Sequence, residues 1–182
     1  MALILNLAWG AGKHLAFGYL VYSLLEHGRG RSPEGRKAVV LLVGVMFPDL
    51  VDKPLVLLGI LEYGRSFAHS LITVSVIVGI VCLDAHRHGR FELGLTFGLG
   101  YLLHIPVDLY GPLLTGNNPI DTAFLFWPVA VKHPLGVMPP DIPVSKGSVF
   151  SVIVVSSFAL WVYDRFPVVS EITHLFRARR LG

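Results

Sequence analysis

The feature that most restricts this chain is the recurrence of apolar runs about as long as the hydrocarbon core of a bilayer is thick. Crossing roughly 30 Å at about 1.5 Å per residue takes about 20 helical residues. Ser66 to Asp84, Phe91 to Leu109 and Gly147 to Tyr163 reach or approach that length. Ala8 to Leu25 is apolar apart from Lys13 and His14 and ends at Glu26-His27-Gly28, where a glycine suits a helix C-cap. Ser32-Pro33-Glu34 reads as a helix start. The apolar run that follows, Val39 to Phe47, breaks at Pro48-Asp49, and a second short run covers Pro54 to Leu61, so the pair predicts a broken or re-entrant helix. Composition agrees, because 53% of the 182 residues are apolar and only 15% charged, against about 25% charged in an ordinary soluble domain. The expected fold class is all-α: a polytopic membrane helical bundle of about five spans, with the broken helix and a C-terminal interfacial helix.

Ten of the fifteen Lys and Arg fall in Glu26 to Lys37, Asp84 to Arg90 and Asp164 to Gly182, segments separated from one another by pairs of crossings. The excess of positive charge on one side puts those segments in the cytoplasm and the N-terminus outside, at an inner membrane. Residues 1–165 are expected to form a single membrane-embedded helical domain. Within it, 110–146 holds seven of the twelve prolines and reads as an external cap, whose Phe124-Leu125-Phe126-Trp127-Pro128 lies at the interface. Residues 166–182 read as a cytoplasmic amphipathic tail on anionic lipid, pairing Val169, Ile172, Leu175 and Phe176 with arginines. Gly94 and Gly98 form GxxxG, read as close packing inside the monomer. One cysteine, Cys82, excludes a disulfide framework and a CxxC metal motif. A formal charge of +3 spread in small clusters argues against nucleic acid as the main partner. Met1 to Gly12 lacks the basic start of a signal peptide and reads as part of the mature chain.

Titratable side chains inside apolar runs are costly and tend to mark a pathway or a site. Six stand out: His14, Asp49, Asp52, His69, His104 and Asp108. On antiparallel helices in the orientation above, all six reach one level on the outer side. Imidazole and carboxylate are ligands that zinc and similar divalent ions prefer. His104 and Asp108, four residues apart, project from one helical face. Each residue also has a plainer use. Asp52 could cap the short helix, Asp49 could start a turn, His69 could sit in a helix start behind Ser66, and His104 could simply bond Asp108. Arg65, four residues before His69, suits either a phosphate oxygen or the pinning of an aspartate ligand. His27, His86, His88 and His174 read as solvated, and His133 has no partner in the pattern.

With these residues in place, the chain resembles the membrane-bound metal-dependent hydrolases of the YdjM-like type. The likeness lies in His14 before an apolar helix, in Gly44-Val45-Met46-Phe47-Pro48-Asp49-Leu50-Val51-Asp52, in Arg65-Ser66-Phe67-Ala68-His69-Ser70, and in His104-Ile105-Pro106-Val107-Asp108. The ligand order is also similar to that of zinc-dependent phospholipase C and the P1-type nucleases. That resemblance implies a first divalent metal, zinc by preference, on Asp49 or Asp52 with His69, His104 and Asp108, and a second on His14 and Asp108. The soluble enzymes continue with further histidines and a HisxxxGlu pair, and no such pair follows Asp108 here, which limits the implied centre to one or two ions. The implied activity is hydrolysis of a phosphoester or lipid-linked substrate at the outer face, with Asp49 or Asp52 as general base and Arg65 on the substrate's anionic group. The other expectation is a metal-ion or proton transport protein using the same six residues.

Overall fold

The computed structural model describes residues 2–115, 123–129 and 146–181. Most of the 110–146 cap, including His133, therefore lies outside the described residues. Among the described residues six helices form: α1 (Ala2–Gly28), α2 (Gly35–Leu57), α3 (Leu71–Arg87), α4 (Phe91–Thr115), α5 (Lys146–Tyr163) and α6 (Pro167–Leu181), with a 3₁₀ turn at Ala123–Phe126. No strand occurs among the described residues, so the all-α expectation is met. Among those residues no single helix is long and apolar enough to cross a membrane; Val149–Tyr163 and Pro167–Ala178, bent by 50°, meet that criterion only as a pair.

Helix ends follow from backbone chemistry. Gly30, Gly59 and Gly89 take left-handed φ values of 70°, 69° and 66° just beyond α1, α2 and α3. The same two closing bonds recur each time. Arg31 N–H donates to the Glu26 carbonyl and Gly30 N–H to that of His27; Ile60 and Gly59 do the same to Leu55 and Val56, and Arg90 and Gly89 to Ala85 and His86. This is the Schellman closure, which satisfies carbonyls a helix end would leave unpaired. The capping glycine of α1 is thus Gly30, two residues beyond the one expected.

α2 does not break. It runs through Pro48 and Pro54 without interruption, and Asp49 and Asp52 lie inside it as buried helical residues. Each proline removes one N–H from the helical ladder, but α2 is packed closely against α4 from Leu41 to Phe47, just before Pro48, and that contact supports the helix there. α3 starts later than expected, because Ser66 to Ser70 is not helical. The amides of Ser66 and Ala68 donate to Asp52 of α2, and Ser70 becomes the N-cap, its Oγ accepting from Ile72 N–H. α4 continues past Leu109 to Thr115.

Glycines set the distance between helices. The Gly44 Cα faces the Phe97 backbone and the Gly100 Cα faces the Leu41 backbone, each so closely that a Cβ would collide with a main-chain carbonyl. On the other side of α4, Gly94 meets Cys82 and Ala85, and Gly98 meets Val78. The GxxxG pair is therefore spent on α3 inside the chain. Around these contacts lie two apolar cores, one of Tyr19, Tyr22, Ala38, Leu41 and Val45, the other of Val74, Phe97, Tyr101 and Ile105. Gly100→Ala should lower stability by about 1–3 kcal/mol, as overpacking does. Gly79→Ala, on an open face of α3, should be neutral or stabilising by about 0.5–1 kcal/mol. Thermal unfolding of the two variants in detergent checks the difference, and equal behaviour would contradict the packing.

Candidate metal centre

Four elements deliver the site. His14 comes from α1, Asp49 and Asp52 from α2, His69 from the turn before α3, and His104 and Asp108 from α4; all six are buried. That turn is positioned chiefly by one carboxylate. Asp52 accepts from Ala68 N–H on Oδ1 at 2.8 Å, and from Ser66 N–H at 3.0 Å and His69 Nδ1 at 2.8 Å on Oδ2. Tyr101 O–H donates to the Ala68 carbonyl at 2.7 Å, and Ser70 O–H to the Trp127 carbonyl at 2.7 Å. Phe124 is buried with its ring edge toward His69, and Trp127 meets Phe67. The Phe124 to Trp127 stretch thus packs over the site.

The three imidazoles share one orientation. Nδ1 of His14 lies 2.9 Å from the Gly10 carbonyl, Nδ1 of His104 lies 2.7 Å from the Val45 carbonyl, and Nδ1 of His69 faces Asp52. A carbonyl or carboxylate oxygen only accepts, so each Nδ1 carries a hydrogen, and in the neutral ring each Nε2 then presents a lone pair. The Val45 carbonyl is adjacent to the Gly44 carbonyl, whose helical donor Pro48 has removed.

The lone pairs converge. Nε2 of His69 is 3.1 Å from Nε2 of His104, and both lie 3.2 Å from Oδ2 of Asp108. Nε2 of His14 is 3.4 Å from Oδ1 of Asp108, and Oδ1 of Asp49 is 3.8 Å from Nε2 of His69. His14 and His104 are stacked with centroids 4.0 Å apart. The outer carboxylate oxygens are held by cations, Asp108 by Arg65 at 2.9 Å and Asp49 by Lys53 at 2.6 Å. With the three rings neutral, what remains at the centre is a set of acceptors facing acceptors, and His14 Nε2 and Asp108 Oδ2 are buried there without a hydrogen-bond partner. Burying an unpaired polar atom costs about 1–3 kcal/mol, and a cation removes that cost.

Two overlapping groups have the geometry to hold a metal ion, His14 with His104 and Asp108, and Asp49 with His69 and His104. Asp52 belongs to neither. Its three donors make it the carboxylate that fixes the His69 tautomer, the arrangement commonly found one step behind a metal ligand. Arg65 meets Asp108, one of the two uses its position suggested, and is 53% exposed on its side chain. Lys53 was missed in the sequence, although its place four residues after Asp49 on a helix is the spacing of an ion pair. His27 also departs from expectation: its Nε2 is 2.8 Å from Asp164 Oδ1.

Fold and site together define a protein that is all-helical among the described residues, with a buried histidine and aspartate cluster that could hold a metal ion. A family model described as YdjM inner membrane protein matches residues 10–172, and the chain belongs to that family. No curated protein and no solved structure matches the chain.

The tautomer assignment is testable without metal. Two-bond ¹⁵N–¹H spectra of metal-free protein labelled at histidine should show His14, His69 and His104 protonated at Nδ1. A proton on Nε2 of His69 or His104 would overturn the assignment.

Proposed function

We propose that the protein is an integral inner-membrane hydrolase that uses one or two divalent ions, zinc by preference, to cleave a phosphoester or lipid-linked substrate. The observation that carries this reading is the centre itself: three imidazole Nε2 lone pairs and the inner oxygens of Asp49 and Asp108, all acceptors, turned toward one another in a buried space. Mixed imidazole and carboxylate donors suit zinc and its neighbours among the divalent ions.

His69, His104, Asp108 and His14 are the ligands in this reading. A divalent ion there supplies charge that polarises a phosphoryl oxygen and acidifies water. Asp49 is the general base, its Oδ1 facing the centre while Lys53 keeps the other oxygen in place. Asp52 takes no part as ligand or base, because its lone pairs are used on Ser66, Ala68 and His69. Arg65 holds Asp108 with one N–H, and its exposed guanidinium has further donors for an anionic substrate group.

Membrane embedding is supported by the family, by the composition, and by large apolar side chains exposed on α3, α4 and α5, among them Ile80, Leu102, Val155 and Phe158. In the proposed topology, of about five spans, the ten-to-five bias of basic residues argues for a metal centre near the outer leaflet, the N-terminus outside and the C-terminus in the cytoplasm. A substrate that lies in the bilayer reaches such a centre directly.

Purified protein should contain zinc in stoichiometric amount by elemental analysis, and His69→Ala or Asp108→Ala should lose it. Asp52→Asn should keep the ligands but weaken metal binding by about 10–100-fold, the usual effect of losing an orienting carboxylate. Turnover of a phosphodiester such as bis(p-nitrophenyl) phosphate should stop with chelator and return with zinc. Absence of metal from the purified protein after zinc addition would refute the centre, and full metal without turnover of any phosphoester would refute hydrolysis.

A further inference from the structure

The corner between α5 and α6 is unusual. Arg165 and Phe166 both take left-handed φ values, 60° and 56°, a region that costs non-glycine residues about 1–2 kcal/mol each. The α5 end is closed with the same bonds as the glycine corners, Phe166 N–H to the Trp161 carbonyl and Arg165 N–H to that of Val162, both at 3.0 Å. Here, though, the positions are filled by a cation and an aromatic. The corner is held from several sides. Asp164 accepts from Tyr19 and Ser23 of α1 at 2.7 Å each, and its other oxygen lies 2.8 Å from His27. The Phe166 ring meets Trp161 edge-on with centroids 4.7 Å apart.

The result aims α6 at a fixed 50° to α5. One side of α6 is docked: Pro167 and Glu171 lie against Gly35 at the start of α2, and Val168 packs on the first core. The neighbouring side is not. Val169, Ile172, Leu175 and Phe176 are all exposed, Phe176 by 65%. The hydroxyls of Ser170 and Thr173 donate back to carbonyls of their own helix, and so ask nothing of the surroundings. The chain here carries Arg165, Arg177, Arg179 and Arg180 against a single acid in α6, Glu171.

We propose that α6 lies in the cytoplasmic headgroup layer and binds anionic lipid, with Val169, Ile172 and Phe176 in the acyl boundary and the arginines on lipid phosphates. Apolar side chains beside a basic helix end match the two faces of such a surface. The strained corner then has a purpose, because a relaxed one would let α6 leave the plane. This inference rests on the membrane reading above but not on the metal centre.

The test uses the full chain in the Cys82→Ala background, with one nitroxide at a time introduced by Val169→Cys, Ile172→Cys, Phe176→Cys, His174→Cys or, as a control in α5, Val155→Cys. Nanodiscs contain phosphatidylcholine alone or with phosphatidylglycerol. Labels at 169, 172 and 176 should be more accessible to oxygen than to a nickel chelate, and the label at 174 the reverse. Phosphatidylglycerol should deepen the first three, and the combined Arg177→Gln, Arg179→Gln and Arg180→Gln changes should abolish that deepening. Hydrogen exchange of the unlabelled protein gives an independent check, with α6 amides slower in the anionic discs. Water-exposed labels all along α6 with position 155 still buried would overturn this inference alone. Exposure at 155 as well would overturn the membrane reading with it, and labels that continue across to the opposite leaflet would make α5 and α6 one bent span and refute the surface position.

Discussion

The site depends first on what the Asp52 carboxylate does with its lone pairs. A buried carboxylate is tolerable only when hydrogen bonds replace the water it has lost. Here the replacements are the Ser66 and Ala68 amides and the His69 imidazole. One interaction therefore satisfies the charge, pulls the 66–70 segment out of helical conformation and sets which His69 nitrogen faces inward. Substituting Asp52 would leave two buried amides and a ring without their acceptor.

The second constraint is how closely α2 and α4 approach. His104 on α4 can bond the Val45 carbonyl of α2 at 2.7 Å only because Gly44 and Gly100 let the two backbones touch. Bulk at either glycine would move His104 and Asp108 together away from α2, and so away from Asp49 and from His69. Packing and site geometry are thus one property of this helix pair. The prolines belong to the same arrangement. Pro48 frees a carbonyl and leaves α2 continuous, because the helix is supported from the side by α4 in the turns just before it.

Much of the site was legible in the amino-acid order. Ionisable groups inside apolar runs are few, and helical spacing with alternating direction placed His14, Asp49, His69, His104 and Asp108 at one level without coordinates. The separate duties of the two aspartates were not legible. Asp49 and Asp52 are alike in type and three residues apart, and only the path of the backbone after α2 decides which of them meets amides. Pro48 was read as a break because local propensity speaks against proline in a helix, whereas the support from α4 is tertiary. Lys53 was overlooked because a lysine near an apolar boundary has an ordinary use as an interfacial anchor. The Phe124 segment could not have been placed over His69 from its order, since its position depends on the bond from Ser70 to the Trp127 carbonyl.

α1 offers an internal comparison that bears on what the centre is for. His14 and His27 lie thirteen residues apart on this helix, about 20 Å along its axis, and each meets an aspartate from a distant helix or helix end. At the His27 end the bonding closes: Asp164 takes hydrogens from Tyr19 and Ser23 and faces the His27 ring, so donors and acceptors match. At the His14 end the same residue types are arranged the other way. The ring hydrogens point outward to Gly10, Asp52 and Val45, the cationic side chains hold the outer oxygens of Asp49 and Asp108, and the inner atoms are all lone pairs. A cluster serving packing alone would resemble the Asp164 end, because stability favours matched pairs. Turning every donor outward raises the cost of the empty arrangement, and a cation bound at its centre would compensate for that cost.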